Sequence, residues 1–244
     1  MTHSVAAASH VPAGLVIAVD GPSGSGKSSA ARGTALALGL RYLDTGAMYR
    51  AVTWWLLEHN IDVTDAETAV KQVLCLDLAV STDPGEQVVR IDGSDVTAGI
   101  RSRLVSNAVS SVAAIPAVRG HLIAMQREII ADSAASGGIV AEGRDIGTVV
   151  APDAAVKVFL TASEQVRAQR RAAELAGGPA ARPEAPAVGL TRLEQARRDR
   201  RDAPQTQRAA DAIEIDATEL GLSDVIGRIV SLATTKRAGA AWTS

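Results

Sequence analysis

A glycine-rich segment near the start of the chain has the composition and spacing of a phosphate-binding loop. Residues 21–28 read Gly-Pro-Ser-Gly-Ser-Gly-Lys-Ser, which fits the pattern G-x-x-x-x-G-K-[ST]. In such a loop the backbone amides surround phosphate oxygens, Lys27 reaches the β- and γ-phosphates, and Ser28 holds Mg²⁺. The residues predicted to contact the phosphates are Gly21, Pro22, Ser23, Gly24, Ser25, Gly26, Lys27, Ser28 and Ser29. The alternative is a flexible turn with an exposed lysine.

Other sequence motifs narrow the class of nucleotide-binding protein. A GTPase switch would need an Asn-Lys-x-Asp guanine motif, and the sequence contains none. An ATPase motor usually has a four-residue apolar strand that ends in Asp-Glu, whereas residues 139–144 read Ile-Val-Ala-Glu-Gly-Arg. A small kinase with a phosphate loop is the class that remains.

The elements that must position the loop predict an alternating α/β fold. Residues 14–20 form an apolar run that ends in an acidic residue, which is typical of a buried strand of a parallel sheet. Lys27–Leu38 has helical spacing and is followed by Gly39, a common helix terminator. Three further apolar runs predict strands that are joined by parallel connections: residues 138–141, 155–160 and 212–216.

Between residues 76 and 100 the spacing of apolar residues changes to alternation. Leu, Leu and Val occupy positions 76, 78 and 80, and a second alternating run covers residues 88–91. The turn pairs Pro84-Gly85 and Asp92-Gly93 separate these runs, so a small antiparallel meander is predicted within the α/β chain. Residues 172–190 are rich in alanine, glycine and proline, which predicts a mobile connection ahead of the arginine-rich segment 192–202.

Three motifs in this order make the chain resemble the bacterial cytidylate (CMP) kinases. They are Asp-Gly-Pro-Ser-Gly-Ser-Gly-Lys at 20–27, Tyr-Leu-Asp-Thr-Gly-Ala-Met-Tyr-Arg at 42–50 and Glu-Gly-Arg-Asp-Ile-Gly-Thr-Val-Val at 142–150. The second and third motifs are more specific than the phosphate loop, and the resemblance covers about residues 14–235. It implies transfer of a phosphoryl group from ATP to CMP or dCMP, with Mg²⁺ bridging the donor phosphates.

The resemblance implies a P-loop NTPase fold: a five-stranded parallel sheet flanked by helices, with an inserted subdomain for the nucleoside monophosphate and a lid. We expect a kinase domain at residues 14–235 between a mobile N-terminal tail, 1–13, and a C-terminal tail, 236–244. The parts predicted for this domain are a core at 14–44, 108–171 and 209–235, an insert at 45–107 and a lid at 172–208.

The resemblance also implies a set of acceptor-binding residues. Arg50 and Arg144 match arginines on the acceptor phosphate, where a planar guanidinium suits phosphate oxygens; the alternative for each is a surface ion pair. Cytosine offers an amino donor beside two acceptors, and the residues that match its reading in the family are Ser110, Arg119 and Asp145. Further pocket residues are Thr45 and Tyr49. For Arg119 the alternative is a position on a solvated helix face. For Ser110 it is an ordinary polar residue of a helix that has no role in binding.

The segment 198–202 matches the lid of the family. Arg198 and Asp202 are four residues apart and share a helix face. The resemblance implies that Asp202 faces the ribose hydroxyls and that Arg198 supports it and contacts the phosphates. The alternative is an exposed salt bridge. Relatives carry a third arginine where this chain has Gln205, which puts the activity of the lid in doubt. Arg208 is the candidate substitute, or it lies at the approach to the final strand.

Composition limits the partners. Lysine and arginine total 25 against 27 acidic residues, so the net charge is -2, and aromatic residues are only 2% of the 244 residues. Neither value favours nucleic-acid binding, and no apolar run has the length of a membrane helix. We expect a cytoplasmic monomer whose single cysteine, Cys75, is buried between leucines. The open alternatives are a kinase for UMP or another small acceptor, and a nucleotide-binding protein with an impaired lid.

Overall fold

The computed structural model describes residues 14–176, 181, 182 and 184–240. The strands are β1 (Leu15–Asp20), β2 (Arg41–Asp44), β3 (Leu78–Val80), β4 (Val89–Ile91), β5 (Ser94–Asp95), β6 (Gly138–Gly143), β7 (Val156–Thr161) and β8 (Ile213–Asp216). The α-helices are α1 (Lys27–Leu38), α2 (Thr45–Glu58), α3 (Ala66–Val73), α4 (Arg103–Ala113), α5 (Pro116–Ala135), α6 (Glu164–Leu175), α7 (Ala185–Asp202) and α8 (Leu222–Ala240). Short 3-10 or π-helical turns are Gly99–Arg101, Ile146–Val150 and Ala203–Gln205.

The predicted five-stranded parallel sheet is confirmed, with the strand order β2-β6-β1-β7-β8. Four of its strands are the apolar runs identified in the sequence. The fifth, β2, has only four residues and begins with the exposed Arg41, so its apolar signal is weak. In the register of the sheet, Asp44 pairs with Glu142 and Asp20 pairs with Gly143. The carboxyl ends of three strands therefore meet at one edge, where α/β folds bind ligands.

Both faces of the sheet are buried. In β1, Ile17 and Val19 pack toward α1 and α8, whereas Ala18 packs toward α2 and α5. All three side chains are inaccessible to solvent, which explains why this strand is apolar throughout rather than alternating. The predicted helix Lys27–Leu38 is confirmed as α1. It ends at Gly39, whose φ of 66° is the left-handed conformation that a C-terminal glycine commonly adopts.

The predicted meander is also confirmed, as the antiparallel sheet β3-β4-β5. Its second turn contains Asp92 and Gly93 with φ values of 49° and 78°, the positive angles that a tight hairpin turn requires. The prediction that Cys75 is buried is wrong, because α3 ends at Val73 and the thiol lies exposed in the turn toward β3.

The predicted mobile connection at 172–190 is partly wrong. Its first residues continue α6 to Leu175, and its last residues form the first turns of α7, which begins at Ala185. Pro186 fits there because the first turn of a helix needs no donor from that position. Residues 177–180 and 183 lie outside the described residues, as does the predicted tail 1–13. The predicted C-terminal tail is corrected too, since α8 extends to Ala240.

In the described part of the chain, no single helix has both the length and the apolar character needed to span a membrane. The pair α4 and α5 meets those two criteria only when taken together, and the two helices bend by 99° at the break between them.

Candidate active site

The phosphate loop lies at the carboxyl edge of the sheet, between β1 and α1. Gly21, Gly24 and Gly26 have φ values of 145°, 76° and 96°, which let the loop turn sharply. A Cβ atom on Gly21 would lie 2.1 Å from the carbonyl oxygen of Leu160 in β7. The loop therefore packs against the sheet so closely that only glycine fits. It lines a cleft of about 570 Å³ that extends toward Arg50, Arg144 and Arg198.

Lys27 occupies the inner end of this cleft. Its side chain is buried, with 6% of the residue exposed, and Nζ donates to the carbonyl oxygen of Pro22 at 2.8 Å. Burial lowers the pKa of the Lys27 ammonium, and the nearby Arg144 guanidinium lowers it further. The alternative of an exposed lysine on a flexible turn is thereby excluded. An anionic ligand in the cleft would favour the charged form of this amine.

Glu142 and Tyr42 form a buried pair beside the loop that was not among the predicted site residues. The Tyr42 hydroxyl donates to Glu142 Oε1 at 2.8 Å, and burial raises the pKa of both groups. Asp44 raises the pKa of Glu142 further, whereas Lys27 and Ser28 lower it. Both residues lie in the quoted motifs, and the place of Glu142 near the carboxyl end of β6 is the signal that could have identified the pair.

These residues also match the chemistry of a Mg²⁺ site. Ser28, Asp44 and Glu142 present oxygen atoms to the cleft, which are the ligands that Mg²⁺ prefers. Within the described residues, no group of three or more histidine, cysteine or acidic side chains is arranged to hold a metal ion. Mg²⁺ in kinases is usually bound by one or two protein oxygen ligands together with substrate phosphates and water.

Asp20 supports the turn that carries Asp145. Its carboxylate accepts from the amides of Ile146 and Gly147, both at 2.8 Å. Burial raises the pKa of Asp20 to about 6, although the two amides oppose this shift. Asp20 was part of a quoted motif but was given no role, and the structure identifies it as the anchor of the π-helical turn Ile146–Val150.

The structure brings the three predicted phosphate-binding arginines together in the cleft. Arg50 Nη1 donates to the Ser106 hydroxyl at 2.9 Å and to the Ile100 carbonyl at 3.3 Å. Burial, together with neighbouring arginines that include Arg144, lowers the pKa of Arg50 to about 10 and that of Arg198 to about 9. This crowding of cations around one space favours a ligand with several negative charges.

The predicted base-reading residues are only partly together. Arg119 on α5 forms an ion pair with Asp145, which follows β6, so the solvated-face alternative for Arg119 is wrong. Burial raises the pKa of Asp145, and Arg119 opposes that shift. Tyr49 lies beside this pair; burial raises its pKa to about 12. Thr45 points elsewhere, since its hydroxyl donates to the backbone of Glu142 at 2.7 Å.

Ser110 bonds to the lid rather than to the Arg119–Asp145 pair. Its hydroxyl donates to Asp202 Oδ1 at 2.7 Å. Asp202 Oδ2 lies 3.5 Å from Arg144 Nε and 3.6 Å from Arg198 Nε. The predicted Arg198–Asp202 pair is present, but it is largely buried within a network and is not the exposed salt bridge of the alternative.

Helix α6 contributes arginines that were not predicted. Arg167 Nη1 donates to the carbonyl oxygen of Ser23 at 3.0 Å, and Arg170 Nη1 donates to that of Ser25 at 3.1 Å. Arg171 lines the same cleft. Their spacing at i, i+3 and i+4 places them on one helical face, which is the sequence signal that could have revealed them.

Comparison with known proteins decides the family. The model of the cytidylate kinase family matches residues 17–235. The chain belongs to the cytidylate kinase family. A cytidylate kinase of Streptomyces avermitilis is 46% identical over 237 residues, covering 95% of this chain and 97% of the relative. One from Rhodococcus opacus is 46% identical over 230 residues, covering 92% of this chain and 96% of the relative.

Among solved structures, a shikimate kinase from Acinetobacter baumannii in complex with shikimate covers 91% of this chain and 93% of its own, with 13% identity and a TM-score of 0.44.

Gln205, which stands where the resemblance leads us to expect an arginine, lies just after α7. Gln205 accepts from Arg119 Nη1 at 3.2 Å and donates to the Ala113 carbonyl at 3.2 Å, so it contacts one of the predicted base-reading residues, Arg119. Arg208 does not replace the missing arginine in the lid. It forms an exposed ion pair with Glu214 at 2.5 Å, which agrees with the alternative that it lies at the approach to the final strand.

Proposed function

We propose that this chain transfers the γ-phosphoryl group of ATP to CMP or dCMP, forming ADP and CDP or dCDP. The observation that carries the assignment of substrate is the Arg119–Asp145 ion pair, in which Asp145 directly follows Arg144, one of the arginines that line the cleft at the phosphate loop. Its charges complement cytosine, because a carboxylate accepts from the N4 amino group and a guanidinium donates to the ring acceptors.

The reaction needs charge neutralisation and alignment rather than covalent help from the protein. Lys27 and the loop amides would hold the donor phosphates, and Arg50, Arg144 and Arg198 would neutralise the acceptor and the transferring group. Ser28, with Asp44 and Glu142 nearby, would hold Mg²⁺, which would supply positive charge to neutralise the donor phosphates. Asp202 would meet the ribose from the lid.

Closure of the lid (residues 172–208) over the insert (residues 45–107) would exclude water from the phosphates. We propose a monomer as the working unit. The near-neutral net charge supports small-molecule substrates rather than nucleic acid. We infer a role in pyrimidine nucleotide metabolism, and the cytoplasmic location stays a prediction.

A coupled assay of ADP release tests the proposal with five acceptors: CMP, dCMP, UMP, AMP and shikimate. We expect the highest kcat/KM for CMP or dCMP, because uracil presents a carbonyl oxygen to Asp145 where cytosine presents an amino group. A preference for UMP or shikimate would contradict the substrate assignment. Binding of both nucleotides without ADP formation would instead indicate a nucleotide-binding protein.

Replacing Asp145 with asparagine tests how the base is read. An amide can donate or accept, so Asp145→Asn removes the repulsion of the uracil carbonyl. We expect the CMP-to-UMP ratio of kcat/KM to fall at least about tenfold, with little change in the KM for ATP. Asp153→Asn, in the exposed loop after the same turn, is the matched control. An unchanged ratio would show that Asp145 does not read the base.

A further inference from the structure

Gln205 connects the end of the lid to the acceptor pocket. It is the last residue of the 3-10 turn Ala203–Gln205, which follows α7. Both polar atoms of its side-chain amide are used. Nε2 donates to the carbonyl oxygen of Ala113 at the end of α4, and Oε1 accepts from Arg119 Nη1 on α5, each at 3.2 Å.

This contact makes Arg119 a shared group. Arg119 Nη1 donates to Gln205, and its Nη2 binds Asp145. A guanidinium that is held by two acceptors on two nitrogens has its plane fixed, whereas one acceptor leaves it free to rotate. The orientation of the cation that faces the base therefore depends on a side chain of the lid.

The chemistry of the contact requires an amide at position 205. A carboxylate could accept from Arg119 but could not donate to the Ala113 carbonyl. An arginine or lysine could donate to Ala113 but would place a second cation against Arg119, with no atom able to accept from it. Among long side chains, glutamine supplies one acceptor and one donor at that reach.

We propose that Gln205 is a positioning residue for acceptor recognition, which holds Arg119 beside Asp145 when the lid is docked and so couples base reading to lid closure. This inference rests on the proposed function, because the base in question is that of the acceptor nucleotide. Glutamine at the position where the resemblance implies an arginine would then have a function of its own, which is to hold Arg119.

The test is Gln205→Met, which keeps the length of the side chain and removes both hydrogen-bonding atoms. Gln207→Met is the matched control, because Gln207 lies two residues further in the same segment with an exposed side chain. We expect Gln205→Met to raise the KM for CMP about tenfold, the loss that follows from one hydrogen bond to a charged group. The KM for ATP and the Tm should match those of the control.

A second measurement separates positioning of Arg119 from a merely structural role. If Gln205 acts through Arg119, Gln205→Met will have little further effect on CMP binding in an Arg119→Met background. Calorimetric titration with CMP measures this without turnover. Gln205→Arg should weaken CMP binding at least as much as Gln205→Met, because the new guanidinium would lie against the guanidinium of Arg119 and repel it.

Three results would overturn the inference. They are an unchanged KM for CMP in Gln205→Met, an equal loss in the presence and absence of Arg119, and tighter CMP binding by Gln205→Arg. Failure of the proposed function would look different, since the wild-type protein would then form no diphosphate from CMP or dCMP.

Discussion

Buried ionisable side chains are the main feature of this site at the scale of single residues. Burial shifts the pKa of Lys27 downward and those of Asp20 and Glu142 upward, so each group is displaced toward its neutral form. Phosphates bring compensating negative charge to Lys27 but not to the carboxyl groups, which instead rely on hydrogen bonds and on bound cations. A buried ammonium is unfavourable in the free protein, so an anionic ligand that stabilises the charge on Lys27 binds more favourably than a neutral one.

Lys27→Met removes the cation and keeps a side chain of similar length. We expect kcat to fall at least about a hundredfold, the effect of removing one electrostatic group aimed at the reacting atoms. The fold should persist, because an apolar side chain suits this buried position. Lys71→Met, on an exposed face of α3, is the control. Near-normal ADP formation by folded Lys27→Met would refute the phosphate-loop assignment.

Asp20 should make stability depend on pH. Its pKa is about 6 in the folded protein against an ordinary value of 3.8, so the folded state binds the proton more tightly. The stabilisation is complete below the unfolded pKa and is lost as the pH rises through 6. Relative to Asp20→Asn, the free energy of unfolding of the wild type should fall by about 2 kcal/mol between about pH 4 and pH 7.

Urea denaturation of the two ligand-free proteins across this pH range measures that difference. The exposed Asp132→Asn serves as the control and should follow the wild type at every pH. Parallel curves for the wild type and Asp20→Asn would mean that the carboxyl group titrates normally in the folded protein.

At the scale of elements, close packing between the phosphate loop and β7 determines the shape of the donor site. The carbonyl oxygen of Leu160 lies where a side chain of Gly21 would begin. That oxygen belongs to the backbone of β7, which cannot move without disturbing the sheet. On the other side, a Cβ on Gly24 would lie 2.8 Å from the Arg167 carbonyl in α6. The loop is therefore held between β7 and α6.

Gly21→Ala should destabilise the protein much more than an ordinary positive-φ substitution. We expect a loss of about 3 kcal/mol or more in the free energy of unfolding, from backbone strain together with the collision with β7. Gly93→Ala is the matched control, because it has a positive φ but open space around it, and should lose only about 1–2 kcal/mol. Equal losses would show that the packing against Leu160 is unimportant.

At the scale of the whole molecule, α7 packs against α4, and the turn after α7 contacts Arg119 of α5. Besides the Gln205 contacts, Arg103 of α4 pairs with Glu194 of α7, and Ser110 donates to Asp202. Arg171 of α6 donates to Ser106, which also accepts from Arg50. These bonds connect α4 to α6 and α7, so side chains of the proposed acceptor site also hold these helices together.

Asp202→Ala removes the carboxylate that links Ser110, Arg144 and Arg198. We expect the KM for CMP to rise and kcat to fall, with kcat/KM reduced about a hundredfold, because contacts away from the reacting atoms promote the closure that aligns them. Steady-state kinetics measure both constants. Arg192→Ala, at an exposed lid pair, is the control, and unchanged kinetics for Asp202→Ala would reduce its role to a structural ion pair.

Local patterns in the sequence determined the parts of this protein that depend on neighbouring residues. The phosphate loop, the apolar strands, the helix ending at Gly39 and the turn at Asp92-Gly93 follow from backbone freedom and periodicity within a few positions. The short strand β2 escaped this reading because its apolar run is only two residues long. The resemblance to the family supplied the site residues, of which the structure gathers the phosphate-binding arginines and the Arg119–Asp145 pair.

Only the tertiary structure decided which side chains meet across distant segments. Ser110 meets Asp202 from 92 positions away, and Arg119 meets Gln205 from 86, pairings that no local spacing encodes. The exposure of Cys75 likewise depends on where α3 ends relative to the meander. The physical reason is common to these cases: burial and side-chain pairing depend on how elements pack in space, whereas sequence periodicity reports only which face of each element is apolar.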